Sequence, residues 1–332
     1  MSPYSRTPKF DAVIGEMQKA LDIVGTSRHS SNKIAATIFG EDQSGHAYSH
    51  AFTNYWPDPI IKAFPNNERI GNSSGTIHAE TACILYAPFT NGASLCITDP
   101  FCPNCAKNIA EAGIKTIFID SRGFAKDFAM RRSDQFENMS MRICEKAGIS
   151  VYNFDKQAQS ITPIFVPPAD YIPPEDSPVE IESLDNTHQE TFSALIARKK
   201  SQHKGRKFAL AMAQDKEGRI FGISARSHPA VGYVAQWDGD ELKNPQGKYS
   251  FTMEPLNRIL MNAPRYGLKL IDGLIYVSQA PTSREQVNFI GAGLRELMIE
   301  NTDKARDEDG LKALKQLTEA GLLTVKSPSI FD

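Results

Sequence analysis

No stretch of this 332-residue sequence approaches the ~18 consecutive apolar residues that a membrane-spanning helix needs. Met1 to Phe10 also lack the apolar core of a secretion signal. The expectation is a cytoplasmic protein with no membrane partner. Excess positive charge is missing too: 37 Lys and Arg face 39 Asp and Glu, a net charge of −2 that gives no global attraction to a polyanion. Cysteine is sparse, five in the chain, and Cys83, Cys96 and Cys144 lie in apolar contexts that read as buried, reduced thiols. The remainder is ordinary, with 41% hydrophobic and 23% charged residues. The length predicts two domains of usual size, each able to bury a core.

The chemistry-bearing residues that are present gather in two short stretches, His78-Ala79-Glu80 and Cys102-Pro103-Asn104-Cys105. Together they offer one imidazole, two thiols and a carboxylate. One His and two Cys leave the fourth position of a tetrahedral zinc open, as in a water-activating site. Residues two apart on a helix point about 200° apart, so His78 and Glu80 can converge only at a helix start. Ser73-Ser74-Gly75-Thr76 reads as a turn with capping hydroxyls, followed by an apolar helix from Ile77 to Ala87. Pro100 and Pro103 suit a loop entering a second helix, whose N-terminus favours thiolate over thiol at Cys102 and Cys105. Taken alone, Cys-x-x-Cys also suits a redox pair or half of a structural zinc site. The chain has no second Cys-x-x-Cys to complete the latter.

At these residues the chain resembles the zinc-dependent cytidine and deoxycytidylate deaminase superfamily, whose signature is His-x-Glu followed by Pro-Cys-x-x-Cys. Phe101 stands where the family has its proline, and Pro100 lies one residue earlier. That departure touches the loop lining the base pocket and leaves the ligands intact. The resemblance implies one Zn2+ per chain, in the N-terminal domain, held by His78, Cys102 and Cys105, with Glu80 carrying protons in catalysis. It implies a hydrolytic deaminase acting on the exocyclic amine of a nucleobase, foremost in a free cytosine nucleoside or nucleotide of the deoxycytidylate kind. Substrate contacts are then expected from Asn54 to the sugar and from Ala79 and Phe101 to the base. Asn54 equally suits a turn, and Trp56 and Phe101 equally suit a core. Arg131 and Arg132 reach a phosphate or simply face solvent.

The surrounding pattern predicts an α/β protein. A helix at Pro8 to Val24 precedes a hairpin of Ala35 to Gly40 and Ala47 to Thr53. Strands at Ala93 to Thr98, Lys115 to Asp120 and Ile149 to Phe154 then alternate with helices, the last at Ser133 to Ala147. This gives a three-layer α/β/α cytidine deaminase-like fold around a five-stranded mixed sheet. Residues 157–180 are rich in proline and read as an extended linker. They separate a catalytic domain, 1–156, from a second unit, 181–332. That unit reads as a decayed copy, since Gly45 matches Gly218, Thr76 Thr252, Gly113 Gly293 and Gly148 Gly321 at a spacing that stays between 173 and 180 residues. An unrelated α/β domain with the same element order is the competing reading. The spacing sets Glu254 against His78, Leu256 against Glu80, Thr282 against Cys102 and Glu285 against Cys105, so the copy is expected to be non-catalytic.

A fused inactive copy can serve as the partner of an intramolecular pseudo-dimer, with a homodimer as a further option. Two other functions stay open. One is editing of tRNA or single-stranded nucleic acid, for which the basic cluster Lys199, Lys200, Lys204, Arg206 and Lys207 is the available surface; net charge favours the small molecule. The other is a zinc-binding regulatory protein without chemistry.

Overall fold

The computed structural model describes residues 9–29, 32–65, 68–234 and 250–328. Pro8, the expected start of the first helix, lies outside them. Contacts divide the chain into two compact units. The first takes its described residues from Met1–Tyr55, His78–Asp176 and Pro229–Gly239, and the second from Trp56–Ile77, Ser177–His228 and Asp240–Asp332.

In the first unit, helix α1 (Phe10–Ile23) precedes the hairpin β1 (Ala35–Glu41) and β2 (Ala47–Thr53). Gly45 turns the hairpin with φ of 79°, a conformation that L side chains resist. Strands β3 (Ser94–Ile97), β4 (Thr116–Asp120) and β5 (Ser150–Asp155) run parallel, because helices connect them. β1 is antiparallel to both β2 and β3. The order is β2-β1-β3-β4-β5-β6. β6 (Ser160–Phe165) adds a sixth, antiparallel edge strand, one more than the expected five. It is built from the stretch expected to be linker, where Pro163 is tolerated because an edge strand can spare an N–H.

Side-chain alternation explains the coverage of this sheet on both faces. Val13 and Met17 of α1 pack against Cys96, Phe118, Tyr152 and Phe154 on one face. Leu95, Ile97, Ile117, Ile119 and Val151 point the other way and are fully buried as well. Each such side chain contributes roughly 1.5–3 kcal/mol by leaving water. The expected helix at Ser133 to Ala147 is present but broken, passing through one wide turn at Phe136–Ser140 before Met141–Lys146.

The second unit repeats this plan. Helix Gln189–Gln202 has the same 14-residue length as α1. Its Phe192, Leu195 and Ile196 cover Phe208, Leu210, Met212, Tyr276 and Met298 of the sheet. Strands Phe208–Gln214 and Ile220–Arg226 form the hairpin, turned at Gly218 with φ of 84°. Lys269–Val277, Glu296–Ile299 and Thr324–Lys326 run parallel, and the first of them is antiparallel to Phe208–Gln214. Five strands therefore stand in the order seen in the first unit. The sixth, Glu180–Leu184, joins the hairpin edge instead of the opposite one. The mixed sheet that the resemblance implies is present twice.

A buried hydrogen bond marks the same place in both units. Asn108 Nδ2 donates to Thr81 Oγ1 at 3.0 Å, and Asn288 Nδ2 donates to Asn257 Oδ1 at 2.8 Å. Both join the two helices that follow the hairpin and the third strand.

Segment Trp56–Ile77, which carries helix α2 (Asp58–Ala63), belongs to the second unit. There Gln316 accepts from Gly71 N at 2.7 Å and donates to Arg69 O at 3.0 Å, while Arg284 donates to Thr76 O at 2.6 Å. Gly71, with φ of 57°, is pressed so closely that a Cβ there would lie 2.2 Å from Ser283 Oγ.

Candidate active site

The site grows from two helix starts. His78 is the N-cap of α3 (Ala79–Tyr86) and Cys102 the N-cap of α4 (Pro103–Glu111), both with extended backbone. Pro103 at the first position of α4 costs nothing, because that N–H has no intrahelical acceptor. The His78 side chain makes no capping bond to its own helix, and that of Cys102 turns toward Cys105 one turn on. Cys105 follows one turn into α4. The expected convergence of His78 and Glu80 at a helix start is what the backbone shows.

The three ligand atoms meet. His78 Nδ1 lies 3.2 Å from Cys105 Sγ and 3.6 Å from Cys102 Sγ, and the two sulfurs are 3.6 Å apart. Tetrahedral zinc with ordinary bond lengths would set sulfur to sulfur about 3.8 Å apart and nitrogen to sulfur about 3.6 Å apart. The donor set and its spacing therefore fit that metal. Among the described residues this is the one group of three metal-ligating side chains within such reach.

Electrostatics suit the same task. The hydrogen bond shared with Cys105, and then the nearby imidazole of His78, hold the Cys102 thiol well below its ordinary pKa, while the same hydrogen bond and burial push Cys105 up. Thr81 hydrogen-bonds Cys105 and is itself fixed by Asn108. Glu80 is 2% exposed, and burial raises its carboxyl above the ordinary value, with His78 opposing. A buried carboxyl that hydrogen-bonds Cys105 but stands outside the His-Cys-Cys group is placed to accept and return a proton.

His78, Glu80 and Cys102 line a cleft of about 440 Å³ with Ile34, Phe101, Arg132, Gln135 and Phe136. Phe101 is 2% exposed and meets Phe136 edge to face at 5.4 Å. Ala79, first in α3, presents an amide without an intrahelical acceptor. Asn54 does not line the cleft. Its Oδ1 accepts from Ser27 Oγ and Ile34 N at 2.6 and 3.0 Å, and its Nδ2 donates to Asn32 O at 2.7 Å. It thus fixes the loop that presents Ile34. Trp56 packs in the second unit near Gly75. Arg131 bonds the carbonyl of Asp127 on its own helical turn, whereas Arg132 reaches the cleft. Gln135 was not singled out by sequence, yet its buried Oε1 has no hydrogen-bond partner. No local motif marks a polar residue whose role depends on a distant helix crossing the cleft.

At the matching positions of the second unit Thr282 is the N-cap of helix Ser283–Gly291, and it forms a capping box with Glu285. Glu285 Oε1 also accepts from Leu256 N and Asn257 N at 3.0 and 3.2 Å, at the start of helix Pro255–Arg265. One carboxylate there joins the two helix starts that the ligand set joins in the first unit. Leu256 has no proton to exchange.

No family model matches the chain. It is 27% identical over 132 residues to a protein of Aliivibrio fischeri described as an uncharacterized deaminase in the luxG 3' region, which covers 39% of this chain and 85% of that protein. Among solved structures it is similar to dCMP deaminase from the cyanophage S-TIM5 in complex with dCMP and dUMP. There the TM-score is 0.30 and the identity 19%, over 46% of this chain and 98% of that one. The apo form of the same enzyme gives a TM-score of 0.28 and 19% identity, over 46% and 99%. With His78, Cys102 and Cys105 gathered at two helix starts and Glu80 buried beside them, the chain resembles the zinc-dependent cytidine and deoxycytidylate deaminase superfamily.

Proposed function

We propose that the protein is a zinc-dependent hydrolytic deaminase that removes the exocyclic amine of a nucleobase, in a free cytosine nucleoside or nucleotide of the deoxycytidylate kind. The observation that carries this reading is the position of Glu80, buried in one cleft with His78 and Cys102 and hydrogen-bonded to Cys105. His78 Nδ1 and the two sulfurs would hold the zinc, which when bound supplies Lewis acidity that brings a water's pKa toward neutrality. Glu80 takes the proton released as water adds to the amine-bearing carbon and delivers it to the ring nitrogen. It then takes the second proton from the added hydroxyl and passes it to the amine, which leaves as ammonia as the carbonyl forms, so one carboxylate acts in turn as base and acid. Phe101 and Ile34 flank the base and exclude bulk water, and the Ala79 amide donates to it. Arg132 and Gln135 face the rest of the nucleotide.

Ammonia release from a panel of cytosine, adenine and guanine nucleosides and nucleotides tests this reading. Cytosine compounds are expected to be turned over by the zinc-loaded chain. Glu80→Gln is expected to abolish release while keeping about one zinc per chain. Activity retained in that variant refutes the assignment of Glu80, and no activity on any base refutes the function.

A further inference from the structure

The second unit keeps a cleft where the first has its own, of about 270 Å³. Its walls correspond residue by residue. Lys207 stands where Ile34 stands, one residue before the first hairpin strand; Glu254 replaces His78, Leu256 Glu80, Pro281 Phe101 and Thr282 Cys102. A decayed site that served only as scaffold would fill with apolar side chains. This one instead holds a carboxylate between two cations. Lys207 Nζ lies 3.5 Å from Glu254 Oε2, and an Arg306 terminal nitrogen lies 3.5 Å from Glu254 Oε1, on the opposite oxygen. Both contacts are longer than the ~2.7–2.9 Å of a tight charge-assisted bond. The three side chains are mostly buried, with 29%, 10% and 15% of their surface exposed for Lys207, Glu254 and Arg306.

Read along that wall, the order is donor, acceptor, donor. A planar ring that fits it must present acceptor, donor, acceptor. Uracil and thymine do so, with a carbonyl on each side of the N3–H. Cytosine does not, since its N3 is a bare lone pair that would face the Glu254 carboxylate, and its amino group would face a cation. Leu256 and Pro281 offer apolar contact beside the polar wall. A free phosphate matches the cations but is repelled by Glu254. We propose that the cleft of the second unit is a non-catalytic binding site for a uracil- or thymine-type base of a nucleoside or nucleotide. Leu256 leaves the bound base untouched, because no group in the position of Glu80 can move its protons. The proposal shares with the reading above the view of these clefts as nucleobase pockets, but it does not depend on turnover.

The experiment is calorimetric titration of the full-length, zinc-loaded Glu80→Gln chain, in which cytidine is not consumed. Uridine is expected to bind at two sites per chain and cytidine at one. Lys207→Met should weaken one uridine site roughly tenfold or more, the usual effect of losing a hydrogen bond to a charged group, and leave the cytidine site unchanged. Glu254→Gln, whose amide can donate to the bare N3 of cytidine while the amino group still faces a cation, should narrow the preference for uridine roughly tenfold without abolishing it. Equal binding of uridine and cytidine at two sites in the Glu80→Gln chain overturns the proposal, as does uridine binding indifferent to Lys207→Met. Inorganic phosphate displacing uridine from the Lys207-dependent site also overturns it in favour of an anion site. Cytidine binding at the first cleft with uridine absent from the second sinks this inference alone. Failure of every nucleoside at both clefts sinks the nucleobase reading of each.

Discussion

Replacing Thr81 with valine keeps the side-chain shape and removes one hydroxyl from behind the metal ligands. That hydroxyl hydrogen-bonds Cys105 and accepts from Asn108 Nδ2 at 3.0 Å. Thr81 is 3% exposed, so water cannot take over its role. Two effects should follow, and they differ in size. Removing a group that orients a metal ligand from behind lowers metal affinity about 10- to 100-fold, or about 1.4–2.7 kcal/mol. Losing one neutral buried hydrogen bond lowers stability by about 1 kcal/mol. The metal effect should therefore dominate. Zinc affinity would be measured by competition with a chromophoric chelator, and stability by urea denaturation of the metal-free chain. Asn288→Ala is the control, because its bond to Asn257 is the same interaction in a unit without ligands. It should cost stability at similar cost per bond and leave zinc affinity unchanged. Zinc affinity within threefold of the parent in Thr81→Val, or equally weakened in Asn288→Ala, would refute the view that this bond serves the ligand and not merely the helix contact.

Other expectations concern folding and burial. A fragment of residues 1–156 should be insoluble or poorly active, because it lacks β6, which covers the β5 edge, and Arg284 and Gln316, which bind the Trp56–Ile77 segment; a soluble, fully active fragment counts against this. Phe101→Ala removes a ring buried against Phe136 and should cost about 3 kcal/mol or more, read as a lower denaturation midpoint. A cost below 1 kcal/mol would mean that the loop collapses freely. Burial depresses the His203 imidazole below its ordinary value of 6.5, against the opposing pull of Glu180. The unfolded chain then takes up the proton first, so the stability contributed is present above pH 6.5 and lost as pH falls toward the folded value. His203→Gln should flatten the decline in denaturation midpoint between pH 7.5 and 5.5; an unchanged slope would discount His203.

The gathering of His78, Cys102 and Cys105 with Glu80 beside them was legible in sequence because the spacing is local. His78 and Glu80 share one helix start, and Cys102 and Cys105 another, so a motif records them. The repeat was legible for a similar reason: Gly45 and Gly218 must each turn a hairpin at positive φ, and that demand outlasts other residues. What escaped was decided by distant contacts. The linker stretch became β6 because β5 offered an unpaired edge, which no property of Ile161 to Phe165 announces. Asn54 reads as a substrate contact or a turn residue, yet its amide is spent on Ser27, Asn32 and Ile34. Gln135, Arg132 and Lys207 reach their clefts through packing of elements far apart in the chain.

The ligand positions in the first unit are the capping positions of the second. Cys102 and Thr282 are both N-caps, Cys105 and Glu285 both stand three residues on, and His78 and Glu254 both precede a helix. On the proposed reading, a metal and a carboxylate are alternative means of closing one backbone arrangement, separated by a handful of side chains. The two halves consequently answer to different conditions for their order. The second carries its clasp within the chain, whereas the first would draw its proposed metal from solution. Under metal starvation the chain should be half ordered, with an intact second cleft and loosened helix starts in the first.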